Sequence, residues 1–234
     1  VSDLFSKKDT LASMAEHGMP LLCHGELNAS GIDVFDRERA FIEQVLAPLQ
    51  AQLPTLKVVL EHITTAFAVH YVITGSDNTA ATITAHHLLL NRNDMLGSGI
   101  KPHYYCMPIL ERDTDQQALI EAATSGHPRF FMGTDSAPHP EPDKLQACGC
   151  AGIYTAHASI ELYAHIFEQA TALPQLENFC SPHGPAFYQL PVNNTTITLK
   201  KLPWQIPEHY PYDTKNPIVP FRAGQTIDWQ LIEQ

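Results

Sequence analysis

Four short apolar segments, each running out at a histidine or an aspartate and each separated from the next by a helix-like stretch, constrain this chain more than anything else in it. They are "PLLCH" ending at His24, "LKVVLEH" ending at His62, "AATITAHH" ending at His86 and His87, and "RFFMGTD" ending at Asp135. Strands that are apolar throughout belong to sheets covered on both faces, and alternation with helices makes such sheets parallel. Polar residues at the carboxyl ends of parallel strands collect at one rim, where barrel enzymes carry their chemistry. Taken alone, Asp135 reads equally well as an Asx-turn that closes its own loop. Four metal-compatible ends in succession point instead to one shared site.

The stretches between fit this frame. Residues 3 to 17 carry an apolar face through Leu4, Phe5, Leu11, Met14 and Ala15, and Gly18 and Pro20 stop that helix. In "FDRERAFIEQVLAPLQAQL" the residues Phe41, Val45 and Leu49 form one stripe with charges opposite, and a shorter helix is expected near 65 to 73. "DTDQQALIEAATSG" is expected to form a helix capped by Asp113 or Thr114, and residues 158 to 170 another that faces the core with Ile160, Tyr163 and Phe167. Beyond Pro174 the pattern changes. "NNTTITLKKL" and "QTIDWQLIEQ" alternate like antiparallel strands, joined by a proline-rich connection.

Charge and cysteine usage exclude several classes. A formal net charge of -11 leaves no basic cluster to release counterions from a phosphate backbone, so nucleic acid is not an expected partner. No apolar run approaches the roughly 18 residues of a membrane helix. Five scattered cysteines without zinc-ribbon spacing, and an opening without a basic-then-apolar layout, suggest a reducing, cytoplasmic home. The pair in "CGCAG", Cys148 and Cys150, reads as a tight glycine-containing loop rather than a disulfide or metal site. No glycine-rich phosphate loop or Gly-x-Ser-x-Gly elbow occurs.

Neutral imidazoles with a carboxylate suit zinc, and an open coordination position lowers the pKa of a bound water. His24, His62 and Asp135 are the chosen ligands, with Asp135 able to serve as base as well. His86 and His87 are weaker candidates, since adjacent residues cannot both face the rim.

At this point a resemblance becomes specific. "MPLLCHGE", "LEHITT", "AATITAHHLLLNRN", "KPHYYCMPIL", "GTDSAPH" and "CGCAG" resemble, in order and spacing, segments of bacterial dihydroorotases of the shorter, homodimeric class within the amidohydrolase superfamily. The likeness spans nearly the whole chain. It implies an α/β fold, the (β/α)8 TIM barrel of the metal-dependent hydrolases. Residues 1–172 would form its C-terminal half, strands five to eight, and 173–234 an extension packed on the barrel. It also implies two zinc ions bridged by a carbamylated lysine, a homodimer, and the reversible interconversion of N-carbamoyl-L-aspartate and L-dihydroorotate in pyrimidine biosynthesis. Carried over by position, His24 and His62 would bind one zinc, and Asp135 would bind the other and act as general acid and base. His139 and the backbone of Ala151 would hold the substrate carboxylate, and the backbone of Met107 would meet the pyrimidine ring.

The departures are equally specific. The His-x-His strand, the bridging lysine of the fourth strand and the substrate-gripping arginine after His-x-His have no counterpart in these 234 residues. The expectation is therefore a missing N-terminal half of about a hundred residues or more, by the usual size of this fold, without which the segment is inactive. Two rival readings remain: a hydantoinase-like cyclic amidohydrolase, and a non-catalytic dihydroorotase-like assembly subunit.

Overall fold

The computed structural model describes residues 4–232. Helix α1 covers Lys8–Glu16 after one 3-10 turn at Phe5–Lys7, as the apolar spacing predicts; Asp3 of that expected helix lies outside the described residues. Strand β1 is Leu21–His24. A single long helical run follows, α2 at Arg37–Phe41, a π segment at Ile42–Leu46 and α3 at Ala47–Gln52. Then come β2 at Val58–Glu61, α4 at Ala66–Thr74 and β3 at Thr79–Ile83.

The third apolar segment departs from expectation here. His86 and His87 do not end a strand; they lie in α5, Ala85–Leu89. Thr84 is the cause. Its extended backbone and its side-chain oxygen, which accepts the His87 N–H at 3.2 Å, cap a helix where the apolar run alone reads as more strand. Asn91, followed by α6 at Arg92–Leu96, forms a reciprocal capping box with Asp94. Helix α7 spans Asp113–Thr124, but its cap is Arg112, one residue before the expected Asp113 and two before Thr114, with no side-chain hydrogen bond. Asp113 and Asp115 instead place negative charge in the first turn, where the helix dipole favours it.

Strand β4 is Phe130–Met132, and α8 (Glu141–Leu145) and α9 (Ser159–Gln169) follow. The four strands form one parallel sheet in the order β1-β2-β3-β4, with Leu22 opposite Val59, Val59 opposite Ala80 and Thr82 opposite Phe131. Val58, Leu60, Ala81, Ile83 and Phe130 turn toward the helices and join the main core. Each such burial is worth about 1.5–3 kcal/mol for a large aliphatic or aromatic side chain. Val59, Ala80 and Phe131 turn the other way and pack with Phe187 and Tyr188.

Both aromatics arrive on α11 at His183–Tyr188, which, like α10 at Leu176–Cys180 before it, the sequence pattern does not announce. The expected antiparallel pair is present: β5 (Thr198–Gln205) and, past the two-residue strands β6 (Tyr210–Pro211) and β7 (Pro217–Ile218), β8 (Thr226–Ile232). Glu233 and Gln234 of the expected last strand lie outside the described residues. The ribbon is fastened to α9, since Trp229 Nε1 donates to Glu168 Oε2 at 3.1 Å and the Leu231 N–H to Glu161 Oε1 at 3.1 Å. Among the described residues no helix is long and apolar enough to cross a membrane.

Candidate active site

His24 ends β1 on the same face of the sheet as Leu22, and its imidazole is pinned from both sides. Nε2–H donates to Glu26 Oε2 at 2.6 Å, which leaves Nδ1 facing His62 Nε2 at 3.3 Å. His62 follows β2 directly, at a φ of 45° that non-glycine residues seldom adopt. Its backbone N–H donates to Thr82 Oγ1 at 2.7 Å, so β3 helps to hold this conformation. Burial drives the His62 imidazole down to about 3, with the neighbouring His24 and His87 adding to the effect. The ring is therefore neutral at physiological pH. His24 is raised instead, chiefly by its hydrogen bond to Glu26.

Asp135 stands in the loop past β4, exposed, at a φ of 40°. Burial of its surroundings raises its carboxyl while His24 pulls it back down, and Asp135 in turn raises His24. This mutual effect puts the third expected ligand within the electrostatic reach of the first. Gly133 permits the approach of β4 to β3, because a Cβ there would meet Thr82 Cβ at 2.5 Å.

These groups fit a divalent cation. Two nitrogens bound tetrahedrally to zinc at about 2.0–2.1 Å stand about 3.4 Å apart, close to the imidazole spacing seen here. A carboxylate on the far nitrogen of a ligating histidine is the usual supporting arrangement, and Glu26 supplies it. His62 also keeps a buried Nδ1 with no partner among the described residues, a ring whose hydrogen bonding the chain leaves incomplete.

Behind His62 lies a carboxylate that the sequence reading counted among solvent-facing charges. Glu38, on α2, is buried. Its Oε2 accepts the Thr64 N–H at 2.7 Å and the Thr64 hydroxyl at 2.9 Å, while Oε1 accepts the Thr65 N–H at 3.0 Å and the Thr65 hydroxyl at 2.5 Å. Burial pushes this carboxyl up to about 7 against the four donors that hold it down. The turn carrying His62 into α4 is thus anchored by one side chain.

The second wall is built of loops. His139 Nε2–H donates to Ala151 O at 2.9 Å, joining the two residues expected to hold a carboxylate. The Gly152 N–H donates to Tyr105 O at 2.9 Å, which ties this loop to the one bearing Met107. The Ser136 hydroxyl accepts the N–H groups of Thr155 and Ala156 at 3.0 and 2.9 Å. Gly152, at a φ of 146°, admits no side chain, since a Cβ would fall 2.6 Å from Ala137 O.

His86, His87 and Cys106 form a separate buried group whose possible ligand atoms lie within 4.8 Å of one another. His87 needs no ion: Nδ1 meets the Thr84 hydroxyl at 2.6 Å and Nε2 the Pro108 carbonyl at 3.0 Å. Cys106 donates to that same carbonyl at 3.3 Å. His86, fully buried beside them, keeps both ring nitrogens without a partner among the described residues. Asn91 and Arg92 serve structure, the first as a cap and the second over the Phe35 ring at 5.3 Å.

A parallel sheet with imidazoles and a carboxylate at its carboxyl rim is the architecture of the TIM-barrel amidohydrolases, and solved structures bear this out. D-hydantoinase from Thermus sp. superposes with a TM-score of 0.73 over 96% of this chain and 57% of its own, at 15% identity, a likeness of fold. No family model matches the chain. The dihydroorotase of Saccharomyces cerevisiae, solved with 5-fluoroorotic acid, superposes with a TM-score of 0.89 at 32% identity over 98% of this chain and 67% of its own. The dihydroorotase of Shewanella baltica is 59% identical over 231 residues, 99% of this chain and 67% of that protein. The chain belongs to the dihydroorotase family, hydrolases that act on a cyclic amide.

Proposed function

We propose that these residues form the C-terminal part of a zinc-dependent dihydroorotase that interconverts N-carbamoyl-L-aspartate and L-dihydroorotate. The observation that carries this reading is the paired His24 and His62 nitrogens at 3.3 Å, within electrostatic reach of Asp135. His24 and His62 would hold one zinc and Asp135 the second, and a carbamylated lysine outside these residues would complete the site. When bound, the metal polarises the ring carbonyl and makes water nucleophilic at neutral pH.

In the ring-opening direction Asp135 takes one proton of the attacking water and passes it to the ring nitrogen as the carbonyl carbon–nitrogen bond breaks, while the other proton of that water leaves as the new carboxyl group ionises at neutral pH. His139 and the Ala151 N–H bind the substrate carboxylate, and the Met107 backbone orients the ring. Glu26 keeps the His24 imidazole in its ligating orientation, and Glu38 holds the turn that follows His62.

Residues 1–172 constitute the barrel portion and 173–234 its packed extension. The complete enzyme works as a cytoplasmic homodimer; the five unpaired cysteines support the compartment. Four strands do not close a packed barrel, so turnover requires elements beyond this segment. The test is an assay of the complete enzyme. It is expected to hydrolyse L-dihydroorotate in preference to hydantoin and dihydrouracil, to lose activity to a chelator and to regain it with zinc. Equal turnover of the three amides, or indifference to chelation, overturns the proposal.

A further inference from the structure

Lys144 on α8 is buried, and its ammonium faces carbonyls rather than a carboxylate. Nζ donates to Tyr105 O at 2.8 Å, Cys150 O at 2.9 Å and Gly152 O at 2.7 Å. All three donors of the ammonium are thereby used, and no salt-bridge partner exists for it among the described residues. A buried charge without a counter-ion costs stability, which is consistent with burial lowering this amine to about 8. A cost retained at a loop hub calls for a function.

The three carbonyls belong to the two loops of the second wall. Tyr105 lies two residues before Met107, and Cys150 and Gly152 flank Ala151 on either side. The decisive contact is the one to Cys150. A trans peptide unit is planar and directs its N–H away from its C=O, so fixing the Cys150 carbonyl fixes the Ala151 N–H in the opposite direction. The only cis peptide among the described residues is Met107–Pro108, so the Cys150–Ala151 unit is trans. That Ala151 N–H finds no acceptor among the described residues, while the Ala151 carbonyl is taken by His139. A donor held in place, left open and polarised by an ammonium on the carbonyl end of its own peptide is suited to an anionic oxygen.

We propose that Lys144 is the positioning residue of the carboxylate subsite: it sets the Ala151 N–H toward the substrate carboxylate and places a fixed positive charge behind it. This rests on the reading that Ala151 and His139 bind that carboxylate. The experiment compares K144M and H139A in the complete enzyme, with kcat and KM for L-dihydroorotate and the bound-metal content measured for each.

The expected result for K144M is a KM raised at least tenfold, kcat within about threefold of the parent, and unchanged metal content. A KM left unchanged in K144M but raised in H139A overturns the role of Lys144 and leaves the subsite reading standing. A KM unchanged in both removes the subsite reading itself and the proposal with it. A fall in kcat with loss of metal and no change in KM makes Lys144 a merely structural residue, which also overturns the proposal. If K144M does not fold, K144R supplies the same measurement, because a guanidinium keeps the charge while disturbing the three-carbonyl geometry. It is expected to raise KM by a smaller factor, and an unchanged KM in K144R overturns the proposal.

Discussion

The two walls of the site are braced by opposite charges. On the strand side, where imidazoles converge, the supporting groups are carboxylates: Glu26 holds the His24 ring, and Glu38 holds the turn beyond His62. On the loop side, where His139 meets the Ala151 backbone, the support is the ammonium of Lys144. Glu26 and Lys144 each carry the sign opposite to the ligand their wall is suited to take, a cation on the first and an anion on the second, while Glu38 acts through its hydrogen bonds. A group placed one layer behind the contact atoms thus adds favourable field as well as rigidity.

The contrast can be broken most severely at Asp135, which the proposed function assigns to the cation-binding wall. D135N keeps the size and tolerates the left-handed backbone, yet removes the proton carrier. Its kcat is expected to fall at least about a hundredfold, as for the loss of a general acid and base, with the fold unchanged by circular dichroism. Retention of kcat removes Asp135 from the chemistry.

The next effect is at Glu38. In E38Q one amide –NH2 must face an N–H and a hydroxyl that now meet a carboxylate oxygen, so at least one buried donor loses its acceptor, at about 1–3 kcal/mol. Metal affinity is expected to weaken about tenfold to a hundredfold, in line with other losses of supporting contacts, and metal titration of the complete enzyme checks it. An unaltered affinity with a lower melting temperature reduces Glu38 to a structural anchor.

The smallest effect sharpens the comparison through a carboxylate that supports neither wall. Glu111 is buried and its Oε2 has no partner among the described residues; burial, with Asp115 adding to it, pushes its carboxyl up to about 8. Between its ordinary value near 4.5 and about 8 the folded chain keeps a proton that the unfolded chain has released. Stability at this residue is therefore full at the acid end of that window and declines as pH rises through it. E111Q is expected to melt a few degrees higher than the parent at pH 8.5 and at the same temperature at pH 4.5. A gain of equal size at both pH values contradicts this assignment.

Much of the architecture was legible because it rests on local pattern. Three of the four parallel strands begin within the apolar runs and β3 begins one residue before its run, at Thr79, while the β5–β8 ribbon follows from the alternating pattern of its two segments. His24 and His62 could be chosen because strand ends in a parallel sheet are neighbours by construction. The braces were harder to see. Glu38 lies three residues before Phe41, in phase with the apolar stripe of Val45 and Leu49, and a charge in that phase was the available signal of a buried partner. Its acceptors' donors, Thr64 and Thr65, are 26 and 27 residues away, which no local pattern encodes. Glu26, two residues from His24, was within reach of a strand-face argument. Lys144 was not, since its three carbonyl partners come from two separate loops. The strand ending at His86 and His87 failed for a different reason: Thr84 interrupts the run with a hydroxyl that caps a helix more readily than it extends a sheet.

The left-handed backbone at Asp135 sets durability against turnover. The residue is exposed, and glycine would occupy the same conformation at lower cost, by about 1 kcal/mol or more. Laboratory selection for heat resistance alone would thus favour glycine there and deliver a tougher but silent protein, so any thermostabilising campaign has to screen for product formation in the same round.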